Sequence, residues 1–298
     1  MVQPSGRRYV DRLPGGLLRS LFAGRWLPVI GAGFSRNAVT DDGRRAPLWG
    51  ELGRLLAVDT PAADATSPID AISAFADVYG RSALVERLSE LLLIDALEPS
   101  QAHLAFTRMP FDIVLTTNAD FLLERAYERQ RRPYVPLLGE SQLSLARRPE
   151  ATQLLKFHGD LRHPGDLIMT EEDYDGFLRR KPLLTTYISW WLLTREPVLF
   201  GYSLDDVDLR EVLAVLRDRL GRMTRAGWAI LPVDADGRTS AKFARRGLRA
   251  IVLDDNPDAD RGEVLEVFFT ELLTEWERRA ARHVSLRTDA STAELRRG

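Results

Sequence analysis

Four short stretches carry residues whose types could do chemistry, and each follows directly on an apolar run. VIGAGFSRN (residues 29–37) sets Gly31, Ala32 and Gly33 after a strand-like segment. Glycines there let backbone N–H groups approach a pyrophosphate, and Ser35 adds a hydroxyl donor. Arg36 stands where a dehydrogenase fingerprint has its third glycine, so the hydride-transfer motif is not matched. LTTNAD (115–120) offers Asn118 and Asp120, an amide and a carboxylate two residues apart, able to orient a water and a carboxamide; equally, both suit the cap of a following helix. LLKFHGD (154–160) presents His158, which could serve as a general base near neutrality or stand as a hydrogen-bonded structural histidine. LFGYSLDDVD (199–208) pairs Gly201 with Ser203, while Asp205, Asp206 and Asp208 suit a helix start better than any known cation loop.

The elements that must position these residues follow from hydrophobic period. Short apolar runs predict strands at 27–30, 111–116, 154–157, 167–169, 198–200, 228–233 and 250–253. Helical spacing appears after Pro47 and over 72–79, 82–93, 101–108, 121–129, 171–179, 183–194, 206–217 and 263–282, with a loop at 59–69 and a polar, frayed tail from about 285. Alternating strands and helices imply an α/β, Rossmann-like, mostly parallel sheet with helices on both faces. Ligands bind such sheets beyond the carboxyl ends of the strands, and all four stretches fall at such ends.

Composition narrows the chemistry. The 298 residues are 45% hydrophobic and 28% charged, with a net charge of −2, which gives no bulk attraction to nucleic acid. There is no cysteine, so disulfides, thiol catalysis and thiolate zinc sites are excluded. The four histidines include His163, five residues past His158, but no carboxylate pattern makes that pair a metal site. His103, near a helix start, reads as core or cap. No stretch reaches the roughly 18 apolar residues of a membrane span, so a soluble, cytoplasmic protein is expected.

Together and in this order, the four stretches resemble the sirtuin (silent information regulator) family over about residues 27–252. The matching positions are Gly31–Ser35 with Ala32, Gly33 and Phe34 between, Asn118 and Asp120, His158-Gly159, and Gly201 to Leu204. The detail is most similar to a bacterial branch: Ala46-Pro47-Leu48-Trp49 before a helix, FLLERAY after TTN-x-D, and Thr170–Tyr174 after FHGD. Many members of that branch are NAD⁺-consuming effectors of antiviral defence. The chain lacks the four cysteines of the deacylase zinc module, and its residues 161–194 read as helices instead. Thr117 stands where deacylases usually carry glutamine, and Ala119 where they carry a larger apolar residue.

The resemblance implies an NAD⁺ hydrolase that breaks the nicotinamide–ribose bond with no metal. It implies that Asp120 holds the nicotinamide amide, Asn118 positions ribose and water, and His158 binds ribose hydroxyls or acts as base. Gly31, Ala32, Gly33, Phe34, Ser35, Thr117, Gly201, Tyr202 and Ser203 complete the implied NAD⁺-binding set. A protein deacylase or ADP-ribosyltransferase would use the same cleft, and a non-catalytic NAD⁺ or ADP-ribose sensor is a third possibility. The expected organisation is one catalytic domain over 1–284, with helical insertions at about 59–108 and 161–195, and a tail at 285–298. A homo-oligomer is expected, with a HerA-type hexameric ATPase or a short Argonaute as the partner class the resemblance implies. The stripe Val264, Val267, Phe268, Leu272 and Trp276 on the C-terminal helix could dock that partner or pack on its own domain.

Overall fold

In the computed structural model, the residues described are 8–58, 60–61, 67–145, 150–202 and 227–295. Seven strands form one sheet: β1 (Trp26–Ile30), β2 (Ile113–Thr116), β3 (Tyr134–Leu137), β4 (Thr152–Lys156), β5 (Glu196–Phe200), β6 (Trp228–Val233) and β7 (Arg249–Asp254). Their order is β3-β4-β2-β1-β5-β6-β7, and every pairing is parallel. Parallel strands need covered crossovers, which explains why these segments are apolar runs and not alternating ones. Along β1, Trp26 and Ile30 join one core while Leu27 and Val29 join the other. This is the period-two alternation of a strand buried on both faces.

One face is covered by α1 (Gly15–Phe22), α6 (Gln101–Arg108), α7 (Leu122–Arg129) and α11 (Arg261–Leu295). The other is covered by α8 (Glu171–Arg180), α9 (Pro182–Thr194) and α10 (Arg238–Arg245). Between β1 and β2 the chain also forms α2 (Ala32–Ser35), α3 (Trp49–Ala57), α4 (Pro68–Tyr79) and α5 (Arg81–Leu91). The last three build a separate small core with Leu52, Leu56, Ile72, Phe75, Leu84 and Leu88. Ala119, Leu161, Leu167 and Met169, from the loops beyond the strand ends, belong to that same core. The helical insertion therefore sits as a cap over the edge where ligands bind.

The structure departs from the sequence reading in particular places. Residues 167–169 are apolar but form no strand. They are buried under the helical cap, Ile168 N–H donates to the His158 carbonyl at 2.9 Å, and Met169 N–H donates to Asp173 at 2.9 Å. Conversely, β3 was hidden by Pro136, which a strand tolerates because β3 is an edge strand paired only with β4. Of the two alternatives for the stripe on α11, the structure shows packing on its own domain: Val264, Phe268 and Leu272 are buried against α6 and the sheet. The helix also continues to Leu295, past the point where a polar tail is expected. α1 opens on Gly15-Gly16, poor helix formers that conceal its start. The helix expected at 206–217 lies outside the described residues.

Candidate active site

The chain reverses direction across the sheet between β1 and β5, the place where a crevice opens at the carboxyl edge. Here the loop after β1 and the loop after β5 are in backbone contact. Gly31 N–H donates to the Phe200 carbonyl at 3.0 Å, and Gly33 N–H donates to the Gly201 carbonyl at 2.8 Å. Gly201 has φ +60°, and a Cβ there would lie 2.0 Å from the Phe34 nitrogen. A Cβ on Gly33 would lie 2.8 Å from the Gly201 oxygen. These glycines thus serve first to let two loops touch, a role distinct from cradling a phosphate.

Beside that contact lies a cleft at the carboxyl edge of the sheet, where ligands of such sheets bind. Its wall contains Gly31, Ala32, Ser35, Thr117, Asn118, Asp120, His158 and Tyr202, all expected from the sequence. It also contains Trp49, Leu52, Leu92, Met169 and Tyr174, which sequence spacing did not assign to the site. These come from the helical cap and the α8 approach, and periodicity does not say where a helical module docks. Gly33, Phe34 and Gly201 are not in the wall, and Ser203 lies outside the described residues.

Polar residues from two strand ends form a closed set. Asn118 Nδ2 donates to Ser35 Oγ at 2.8 Å, and Ser35 Oγ donates to Asp120 Oδ2 at 2.5 Å. Asp120 Oδ1 accepts from Leu122 N–H at 3.1 Å at the start of α7. One carboxylate oxygen of Asp120 thus serves the first N–H of α7 while the other holds Ser35. Thr116 Oγ1 accepts from Asn118 N–H at 3.1 Å and donates to the Ile30 carbonyl, which fixes the Asn118 backbone to β1.

His158 is 3% exposed, and its ring stacks on Phe157 at 5.1 Å and meets Tyr174 edge-on at 5.3 Å. Gly159 follows at φ +69°, where a Cβ would lie 2.4 Å from the Asp166 carbonyl oxygen. Asp160 is buried in the next turn and accepts from Arg162 N–H, His163 N–H and His163 Nδ1. Half-exposed His163 is thus tied to one carboxylate. Among the described residues, no group of three or more His, Cys, Asp or Glu could hold a metal ion.

Phe34 is fully buried, packed against His103, Phe106 and Phe269 at 4.8, 5.5 and 6.2 Å. It belongs to the core behind the site. Phe34→Ala is expected to lower stability by about 3–5 kcal/mol, read in a denaturant melt. A shift under about 1 kcal/mol would contradict core membership.

His103 is also buried, and its Nδ1 meets Ser100 at the start of α6 as expected for a cap. Burial holds its pKa down at about 4, with the Asp120 carboxylate opposing. The folded state then binds this proton less readily than the unfolded chain, whose histidine titrates near 6.5. The contribution is intact above pH 6.5 and is lost as pH falls toward 4, about 3 kcal/mol in all. Melts from pH 7.5 to 4 should show that slope in the native protein and lack it in His103→Asn. Equal slopes would refute the assignment.

Residues 112–251 match the family model of the SIR2-like domain. The chain carries a SIR2-like domain, which runs from the start of β2 into β7 and includes Asn118, Asp120 and His158. It is distantly related to NAD(+) hydrolases named ThsA. Identity to the Acinetobacter baumannii (strain 532279) protein is 26% over 152 residues, 51% of this chain and 31% of that protein. Identity to the Cytobacillus dafuensis protein is 24% over 140 residues, 46% of this chain and 28% of that protein. Identity to the Bacillus cereus (strain MSX-D12) protein is 22% over 148 residues, 49% and 31% respectively. The matches span under a third of the length of these relatives.

Proposed function

We propose that this cavity binds NAD⁺ and that the protein hydrolyses its nicotinamide–ribose bond, releasing nicotinamide and ADP-ribose. The observation that supports this reading best is the meeting of Ser35, Asn118, Asp120 and His158, from three distant parts of the chain, around one cavity. The relationship to NAD(+) hydrolases supports the same reaction. Nicotinamide leaves as a neutral ring from a cationic one, so the bonding pair departs with its nitrogen and the ribose passes through an oxocarbenium-like state. Water adds to that carbon and loses a proton. Little acid assistance is needed. The protein's task is to hold the ribose, orient the carboxamide and deliver the water.

In this reading Asp120 receives the carboxamide N–H, Asn118 orients the ribose and the attacking water, and His158 accepts a proton or binds the ribose hydroxyls. Gly31, Ala32, Thr117 and Tyr202 shape the walls around the dinucleotide, with Gly201 and Ser203 following β5. The domain is a single catalytic unit, and its helices at 161–195 stand where deacylases carry a zinc module. Nicotinamide release from NAD⁺ with no peptide present is the expected result. Release that appears only with an acylated peptide would instead identify a deacylase.

The reaction needs no metal. Chelation followed by elemental analysis should leave turnover unchanged and find no stoichiometric zinc. Loss of activity on chelation, restored by a divalent ion, would contradict this.

An unregulated NAD⁺ hydrolase would exhaust its own cell, so we place the enzyme in antiviral defence, gated by assembly as a homo-oligomer or by a neighbouring gene product. With Val264, Phe268 and Leu272 of the α11 stripe buried, docking falls to other surfaces. Light scattering, then turnover with and without the neighbouring gene product, tests this; a monomer fully active alone would exclude it.

A further inference from the structure

Lys156 closes β4, two residues before His158, and its side chain is fully buried. Its ammonium donates to the Asp120 carbonyl at 2.6 Å and to Glu124 Oε1 at 2.6 Å. It lies 3.7 Å from Asp160 Oδ2 and 4.5 Å from the centre of the Phe121 ring. Glu124, on α7, is itself buried, and burial drives its carboxyl pKa up against the pull of Lys156.

A buried ion pair is a poor source of stability, because desolvating two charges offsets most of their attraction and an apolar pair would pack as well. What distinguishes this pair is where its bonds go. The ladder between β2 and β4 ends at the register Thr116 to Lys156, with a last bond from Phe157 N–H to the Thr116 carbonyl. Beyond that point the chain turns into two loops, one with Asn118 and Asp120, the other with His158 and Asp160. The Lys156 ammonium reaches both, carrying the connection past the end of the ladder.

We propose that Lys156 is a positioning residue: its buried ammonium fixes the Asn118–Asp120 loop against the His158–Asp160 loop, and so sets the spacing across the cavity. It touches no reacting atom. For catalysis the proposal rests on the cavity being the NAD⁺ cleavage site, but its physical content, the holding of two loops, can be measured without turnover.

The test compares the native protein with Lys156→Met, with the double variant Lys156→Met/Glu124→Met, and with Lys156→Arg. Readouts are a thermal melt, NAD⁺ cleavage kinetics, and hydrogen–deuterium exchange over residues 117–124 and 157–162. Lys156→Met should melt well below the native protein, since buried Glu124 and Asp160 lose the cation that offsets their desolvation. The double variant should recover most of that loss. Its kcat should nevertheless stay roughly 100-fold below native with KM little changed, as expected when reacting groups are held but misplaced. Exchange in both loops should remain faster than native. If the double variant does not fold, Lys156→Arg gives the same reading: it keeps the charge, but its planar head cannot occupy the compact ammonium's place, so kcat falls and loop exchange rises.

Native kcat and native loop exchange in the double variant, or in Lys156→Arg, would overturn the proposal and leave the pair a structural one. Should the native protein cleave no NAD⁺, alone or with its neighbouring gene product, while loop exchange still rises in the variants, the cleavage reading fails and the positioning role stands. Absent cleavage with unchanged exchange overturns both.

Discussion

Asn118→Ala and His158→Ala are each expected to lower NAD⁺ cleavage by about 10³-fold, within the range that loss of a positioned acid–base or stabilising group produces. Their effects on the fold should differ. Asn118→Ala removes one hydrogen bond to Ser35, worth about 1 kcal/mol and a few degrees in a melt. His158→Ala removes a ring packed between Phe157 and Tyr174, so its melt should fall further. A plain view of both as solvent-facing loop residues would expect two unchanged melts. Turnover and melting measured on the same preparations check this. Full activity in either variant removes that residue from the mechanism.

Gly201→Ala carries a structural effect expected to be as large as that of Phe34→Ala. The residue has φ +60°, and its new Cβ would sit 2.0 Å from the Phe34 nitrogen, a backbone atom that cannot swing aside. Left-handed strain and the forced separation of two loops together should cost on the order of 3–5 kcal/mol. Separating those loops also displaces Gly31 and Tyr202, which wall the cavity. ADP-ribose affinity, measured by calorimetry well below the melting temperature, should therefore fall with stability. A variant with native melting would show that the loops can part freely, contrary to the packing seen.

Much of this arrangement was legible in the sequence because parallel, fully buried strands read as apolar runs and their polar ends stand out. The runs before Gly31, Thr117, His158 and Gly201 all proved to be strands whose ends share one edge. Where local pattern and tertiary role part company, the reading fails. Pro136 argues against a strand, yet an edge strand with one partner needs no donor on its free side. Residues 167–169 are apolar because a helical cap covers them, and no strand lies there. Phe34 sits inside the glycine motif, and only the packing shows that its ring turns into the core.

Lys156 was least legible of all. A lysine at a strand end ordinarily reads as solvent-exposed, and its partner Glu124 is a separate helical residue with no spacing relation to it. Only the fold joins them. The same holds for the cavity's apolar wall, since Trp49 and Leu52 look like any amphipathic helix face until α3 is seen over the strand ends.

The central claim is tested most directly by mass balance on NAD⁺ incubated with the purified protein and, separately, with its neighbouring gene product added. Nicotinamide and ADP-ribose should appear in equal molar amounts without any peptide, and about 10³-fold more slowly with Asn118→Ala. Intact NAD⁺ under both conditions, or nicotinamide released at the same rate by Asn118→Ala, would contradict the account.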